Sequence, residues 1–252
     1  CINPVKHYKL DVGLLREGDR ADFIVAENLE QFKVWKTYID GELVADGGQT
    51  LIKSHVQGSQ ELLNNFVCEP VSATSLAVKT SEYPAKDGKI PVMEALDGQL
   101  ITNKLWLEPS VVDEKMVSDT SRDLLKMVVV NRYHPATVAK CFIRNIGLKT
   151  GAIASSVAHD SHNIVAVGVD DESLAKAINL VVEAKGGVSA ISLYEEKILA
   201  LPVAGLMSNR DGYEIADAYT EIDQFAKELG SSLGAPFMSL SFMALLVIPH
   251  LK

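Results

Sequence analysis

Residues 151–187 read GAIASSVAHDSHNIVAVGVDDESLAKAINLVVEAKGG. A Gly-flanked apolar run, a polar loop, the strand-like run IVAVGV and a helical pattern follow one another. Asp170 or Asp171 stands where a helix N-cap is needed, since a short carboxylate side chain accepts from the free N–H groups of the first turn. Leu174, Ile178, Val181 and Val182 then fall on one face at helical spacing, and Gly186-Gly187 supplies the stop. A strand, a loop and a crossing helix of this kind predict a domain in which helices pack on a sheet.

Outward from this stretch the same mixture continues. Strand-like runs occur upstream at SLAVKT, QLITNKLWLE, LLKMVVVN and AKCFIRNI, and downstream at VSAISLY and KILALPVAG. A second helix is predicted over Tyr213–Leu229, with Ile215, Ala218, Tyr219, Ile222, Phe225 and Leu229 on one stripe, an acidic opposite face, and Gly230 as the stop. The apolar tail SLSFMALLVIPHLK ends abruptly at Lys252 and reads as a buried strand or helix that needs following chain.

The beginning is different. ADFIVAE (21–27) and FKVWKTYID (32–40) are β-rich runs separated by NLEQ, and Asp40-Gly41 followed by ELVAD is a hairpin signal. We read a small sheet over residues 10–55, a connection rich in Gly, Gln, Ser and Asn over 56–72, and a mixed α/β (α+β) domain over 73–252, without an internal repeat.

With 252 residues and 47% apolar composition, the chain can bury one large core or two modest ones, which excludes a disordered or fibrous protein. A formal charge of -9 without a Lys/Arg run gives no reason to bind nucleic acid or an anionic membrane surface. No run approaches the roughly 18 apolar residues of a membrane helix. Cys1, Cys68 and Cys141 are few and widely spaced, which fits a reducing compartment and hence the cytoplasm.

The densest polar cluster is Ser155 to Asn163, with His159, Asp160 and His162 as candidate catalytic residues and Ser161 and Asn163 as candidate substrate-binding residues. Loops on a rigid scaffold commonly carry function. The plainer alternative is that these side chains satisfy one another and the backbone at a turn. Metal binding by His159 and His162 lacks the further ligands that define a site, and a His-Asp phosphodiesterase rests on a doublet common by chance. An amino-terminal Cys1 nucleophile is a further alternative. Asn131-Arg132-Tyr133-His134-Pro135, after LLKMVVV, is either a ligand-facing loop or a surface turn. No phosphate-binding glycine loop, Cys-x-x-Cys or Ser nucleophile elbow is present.

Two segments resemble one family, the adenine deaminases of the amidohydrolase superfamily. Residues 2–48, with Gly13, Gly18, Ala21-Asp22 and Phe23-Ile24-Val25, resemble the superfamily's flanking β-sandwich, which makes residues 1–10 the end of a preceding barrel. Residues 151–187 resemble the signature of the family's carboxy-terminal domain, and SLSFMALLVIPHLK is similar to its closing motif, with Leu246 where Pro is expected and relatives continuing past Lys252.

The resemblance implies that the complete enzyme hydrolyses adenine to hypoxanthine and ammonia, using manganese or iron in a TIM-like barrel absent from this chain. The family's His-x-His pair and later metal ligands are not found here, so no metal is expected on the chain and the chain alone is expected to be inactive. Its implied partners are adenine, the upstream barrel and, in a homo-oligomer, copies of itself. The alternative is a non-catalytic module for oligomerisation or for covering an active site.

Overall fold

The computed structural model describes residues 2–53 and 63–247. Cys1, residues 54–62, which include the start of the expected connection, and residues 248–252 of the tail lie outside the described residues. The chain forms two units, Cys1–Gln60 and Glu61–Lys252. No described helix is long and apolar enough to cross a membrane.

In the first unit a short helix α1 (Ile2–Tyr8) precedes the antiparallel strands β1 (Phe23–Ala26), β2 (Val34–Ile39), β3 (Glu42–Asp46) and β4 (Gln49–Thr50), in that spatial order. The Asp40-Gly41 turn has both residues at positive φ, 52° and 80°, as a two-residue hairpin requires. Asp22 ties the approach to the sheet, accepting from Gly13 N at 2.7 Å and Asp40 N at 2.8 Å. These backbone donors hold its carboxyl below the usual carboxylate range. A Cβ on Gly13 would come within 1.9 Å of Arg20 O, so the close approach explains that glycine.

The second unit is built on an eight-stranded mixed sheet, with a helix α2 (Ala73–Leu76) and a small sheet beside it. The chain passes through β5 (Val78–Lys79), β6 (Ile90–Ala95), β7 (Thr102–Leu107), β8 (Ser110–Val112), β9 (Lys115–Val117), β10 (Leu124–Val130), β11 (Ala139–Arg144), β12 (Ala152–Ser155) and β13 (Ile164–Gly168). It continues through α3 (Asp171–Glu183), β14 (Gly187–Ile191), β15 (Glu196–Ala200), α4 (Gly212–Glu228) and α5 (Pro236–Phe242). The large sheet runs β15-β14-β12-β13-β10-β11-β6-β7, and the small one β5-β9-β8. All neighbours in the large sheet are antiparallel except β11 with β6. Neither sheet closes into a barrel.

Successive strand side chains point to opposite faces, so each buried strand feeds two cores. Leu125, Met127, Val165 and Val167 join Ile222, Phe225 and Leu229 of the α4 side and Phe237 and Leu240 of α5. Val128, Val130, Ile164 and Ala166 join Leu174, Ile178 and Val181 of α3. Both faces being covered explains why LLKMVVV and IVAVG are almost continuously apolar rather than alternating. Each fully buried Leu, Ile or Val contributes about 2 kcal/mol.

The helix α3 begins on Asp170, which accepts from Ser173 N at 2.6 Å. It ends in a Schellman motif, with Gly186 N donating to Val181 O at 2.9 Å and Lys185 N to Val182 O at 3.1 Å. Lys185, not a glycine, holds the left-handed position at φ 54°. Gly186 is needed because a Cβ there would lie 2.3 Å from Gly205 Cα.

Several expected strands are shorter than their apolar runs. SLAVKT divides into the end of α2 and β5, VSAISLY stops as a strand at Ile191, and KILALPVAG stops at Ala200. The short helix α5 occupies the apolar SLSF segment.

Candidate functional site

The loop between β12 and β13 is anchored from both ends. Ser156 is fully buried; its N donates to Gly187 O at 3.0 Å and its Oγ to Gly205 O at 2.6 Å, while it accepts from Gly187 N at 2.8 Å. Ser155 Oγ accepts from Val157 N at 3.0 Å. His159 N donates to Ser241 O at 2.8 Å, and its ring stacks on Phe242 with centroids 4.7 Å apart. His159 is thus packed against α5 and positions the loop.

His162 closes a turn, with φ 51° and its N donating to Ala158 O at 2.7 Å. Its Nδ1 is buried and has no hydrogen-bond partner. Burial first, then the charges of His159 and Arg132, push its pKa below 6.5, with Asp160 opposing. The imidazole is therefore biased to the neutral form. Asp160 and Ser161 are exposed.

β10 and β13 pair antiparallel with Val130 opposite Ile164, so the residues that follow β10 lie beside those that precede β13. The Asn131–Pro135 loop and the His159–Asn163 loop therefore meet. Tyr133 Oη donates to Ser161 O at 3.0 Å, and Arg132 N donates to Asn163 Oδ1 at 3.4 Å. Asn131 Oδ1 accepts from Tyr133 N at 2.9 Å and His134 N at 3.2 Å, which shapes the turn.

Arg132 lies at this junction and is 3% exposed. Its Nη2 donates to Ala204 O at 2.8 Å and Tyr133 Oη at 2.9 Å. Its guanidinium lies over the rings of Tyr133 and Phe66, 4.6 Å and 5.4 Å from their centroids. Its Nε and Nη1 are buried without a partner. Asn64 Nδ2 donates to Lys185 O at 2.7 Å and Pro202 O at 2.9 Å, while its Oδ1 is also without a partner. Asn64, Arg132, Tyr133, His162 and Ala204 line one cleft of about 570 Å3.

Of the residues singled out from sequence, mutual satisfaction accounts for Ser155 and Ser156 and gives Asn163 a backbone donor. It does not account for His162. The His159 and His162 ring centroids are 6.0 Å apart, and among the described residues no group of three or more His, Cys, Asp or Glu could hold a metal ion. Cys141 is half-buried and desolvation pushes its thiol up to about 12, which makes it a poor nucleophile. Asn64 falls in the polar connection and Ala204-Gly205 at the end of the run KILALPVAG, and no sequence signal marked either as part of a site.

The model of the adenine deaminase C-terminal domain family matches residues 99–252, which include both loops. Over its whole length the chain is 48% identical to an adenine deaminase of Salinibacter ruber and 48% identical to one of Methanosarcina acetivorans. It is 41% identical to an adenine deaminase of Methanothermobacter thermautotrophicus. The chain spans 45% of the first of these proteins and 46% of the other two, less than half of each.

Proposed function

The chain belongs to the adenine deaminase C-terminal domain family, and from that premise we propose that it shapes and covers the substrate site of an adenine-deaminating enzyme. In that reaction water adds to the amino-bearing six-position carbon of adenine, the bond to the amine breaks, and hypoxanthine and ammonia leave. A manganese or iron ion held by the complete enzyme would supply the Lewis acidity that activates this water. Among the described residues no group of three or more His, Cys, Asp or Glu could hold such an ion, which supports placing it on an upstream barrel.

The observation that carries this reading is His162, whose buried Nδ1 lacks a partner on a loop inside the family-matched region. A neutral imidazole with a free ring nitrogen can take up or pass on a proton near neutral pH. Asp160, exposed beside it, can accept from an exocyclic amine, and Ser161 and Asn163 can orient the ring. His159 acts through its packing on Phe242. A homo-oligomer in the cytoplasm, without nucleic-acid or membrane partners, completes the proposal. The acidic composition supports the lack of nucleic-acid binding, and the exposed Met238 and Leu246 are apolar side chains that a second copy could cover.

The test is steady-state deamination of adenine by the full-length protein carrying His162→Asn. We expect kcat/KM to fall by about ten- to a hundredfold with the melting temperature retained. An unchanged kcat/KM would remove this loop from the substrate site.

A further inference from the structure

We propose that the cleft at Arg132 binds a small oxyanion, a phosphate or carboxylate group, as the missing counter-charge of its guanidinium. An arginine cannot shed its charge by losing a proton, so burial must be offset by partners. Arg132 makes hydrogen bonds through Nη2 only, to a carbonyl and a phenol, and no carboxylate pairs with it among the described residues. The two aromatic rings beneath it offset part of the cost, but cation–π attraction is weaker than the loss of hydration of a buried ion.

The surroundings are built to hold the side chain in place. A Cβ on Gly205 would lie 2.0 Å from Arg132 Nη1, so a side chain there would displace the guanidinium, and the φ of 70° also favours glycine. Val67 N donates to Arg132 O at 2.7 Å and fixes its backbone. Three side chains with partnerless polar atoms, Asn64, Arg132 and His162, line the same cleft, whose volume of about 570 Å3 accommodates a phosphate. An oxyanion entering the cleft reaches the buried Arg132 nitrogens by a small shift of the side chains that cover them, and accepts from them and, where His162 Nδ1 carries the proton, from it as well. Asn64 Oδ1 is an acceptor, and it discriminates between the two sources. A protonated phosphate oxygen can donate to it, whereas formate or another carboxylate cannot. The inference stands whether or not the neighbouring loop reaches a purine.

The test is a titration of the purified protein with sodium phosphate and, separately, sodium formate at constant ionic strength, so that screening is held fixed. Arginine Nε–H signals are followed by NMR. The expected result is a saturable shift of one such signal. It is absent in Arg132→Gln and retained in Arg122→Gln, which removes an exposed arginine. Phosphate binding at least tenfold tighter than formate identifies a phosphate that also uses Asn64; equal binding identifies a carboxylate-type site that uses Arg132 and His162 without Asn64. Should Arg132→Gln fail to fold, His162→Asn serves instead and must weaken the response at least threefold. No saturable shift with either anion, or a shift indifferent to the Arg132 or His162 substitution, overturns the proposal.

Discussion

Two cations are buried along one segment of this protein, and they are treated in opposite ways. Lys126, within β10, is 2% exposed; its ammonium meets the Asp171 carboxylate and donates to Leu76 O at 3.3 Å. Arg132, just beyond the end of the same strand, is 3% exposed and has no acidic partner among the described residues. The first cation is completed by the α3 N-terminus and holds that helix to the sheet. The second leaves donors open where two loops meet. A chain that supplies a counter-charge in one place and withholds it in the other separates a region that maintains the fold from a region that waits for a ligand.

The comparison can be broken most directly at its structural end. Asp171→Ala strands the Lys126 ammonium, and urea unfolding should show a loss of about 3 kcal/mol. Arg132→Met removes a buried charge with no carboxylate to strand, so its stability should stay within about 1 kcal/mol of the wild type. If the two substitutions cost the same, the distinction between the regions is wrong.

A smaller effect sharpens the ligand end. The folded pKa of His162 lies below its ordinary 6.5, so the unfolded chain takes up this proton first as pH falls. Its contribution to stability is complete above that value and declines below it. Melting temperatures between pH about 7.5 and about 5.5 should fall less steeply in His162→Asn than in the wild type. An identical slope would mean that the imidazole is not desolvated. The smallest effect belongs to the rim of α4, where Arg210 and Glu214 pair at 3.0 Å with both side chains more than half exposed. Arg210→Ala should change stability by no more than about 0.5 kcal/mol in the same unfolding assay.

Legibility in the sequence followed locality. The helices α3 and α4 were readable because cap, apolar stripe and stop all lie within one segment, and the first hairpin because Asp40-Gly41 marks its turn. β6 was not readable. Its burial runs irregularly through IPVMEA, and its parallel partner β11 lies far along the chain, so no nearby signal announces the pairing. The hairpin of β8 and β9 was hidden for another reason, since Asp113 and Glu114 adopt positive φ, 47° and 62°, without a glycine to reveal it.

The candidate site was half legible. Polar density exposed the Ser155–Asn163 and Asn131–Pro135 loops separately, but their meeting depends on the β10–β13 register. That Arg132 is buried and without an acidic partner among the described residues depends further on Phe66, Ala204 and Gly205, residues that only tertiary packing brings to it from distant segments.

The claim at the centre is that this chain contributes ligand-facing groups to an adenine-deaminating enzyme while the reaction's cation is held on other polypeptide. Its most direct test is ammonia release from adenine by the purified 252-residue chain supplied with manganese or iron. The expected result is no release above the protein-free control. Sustained turnover at an enzyme-like rate, abolished by substitutions on this chain, would contradict it.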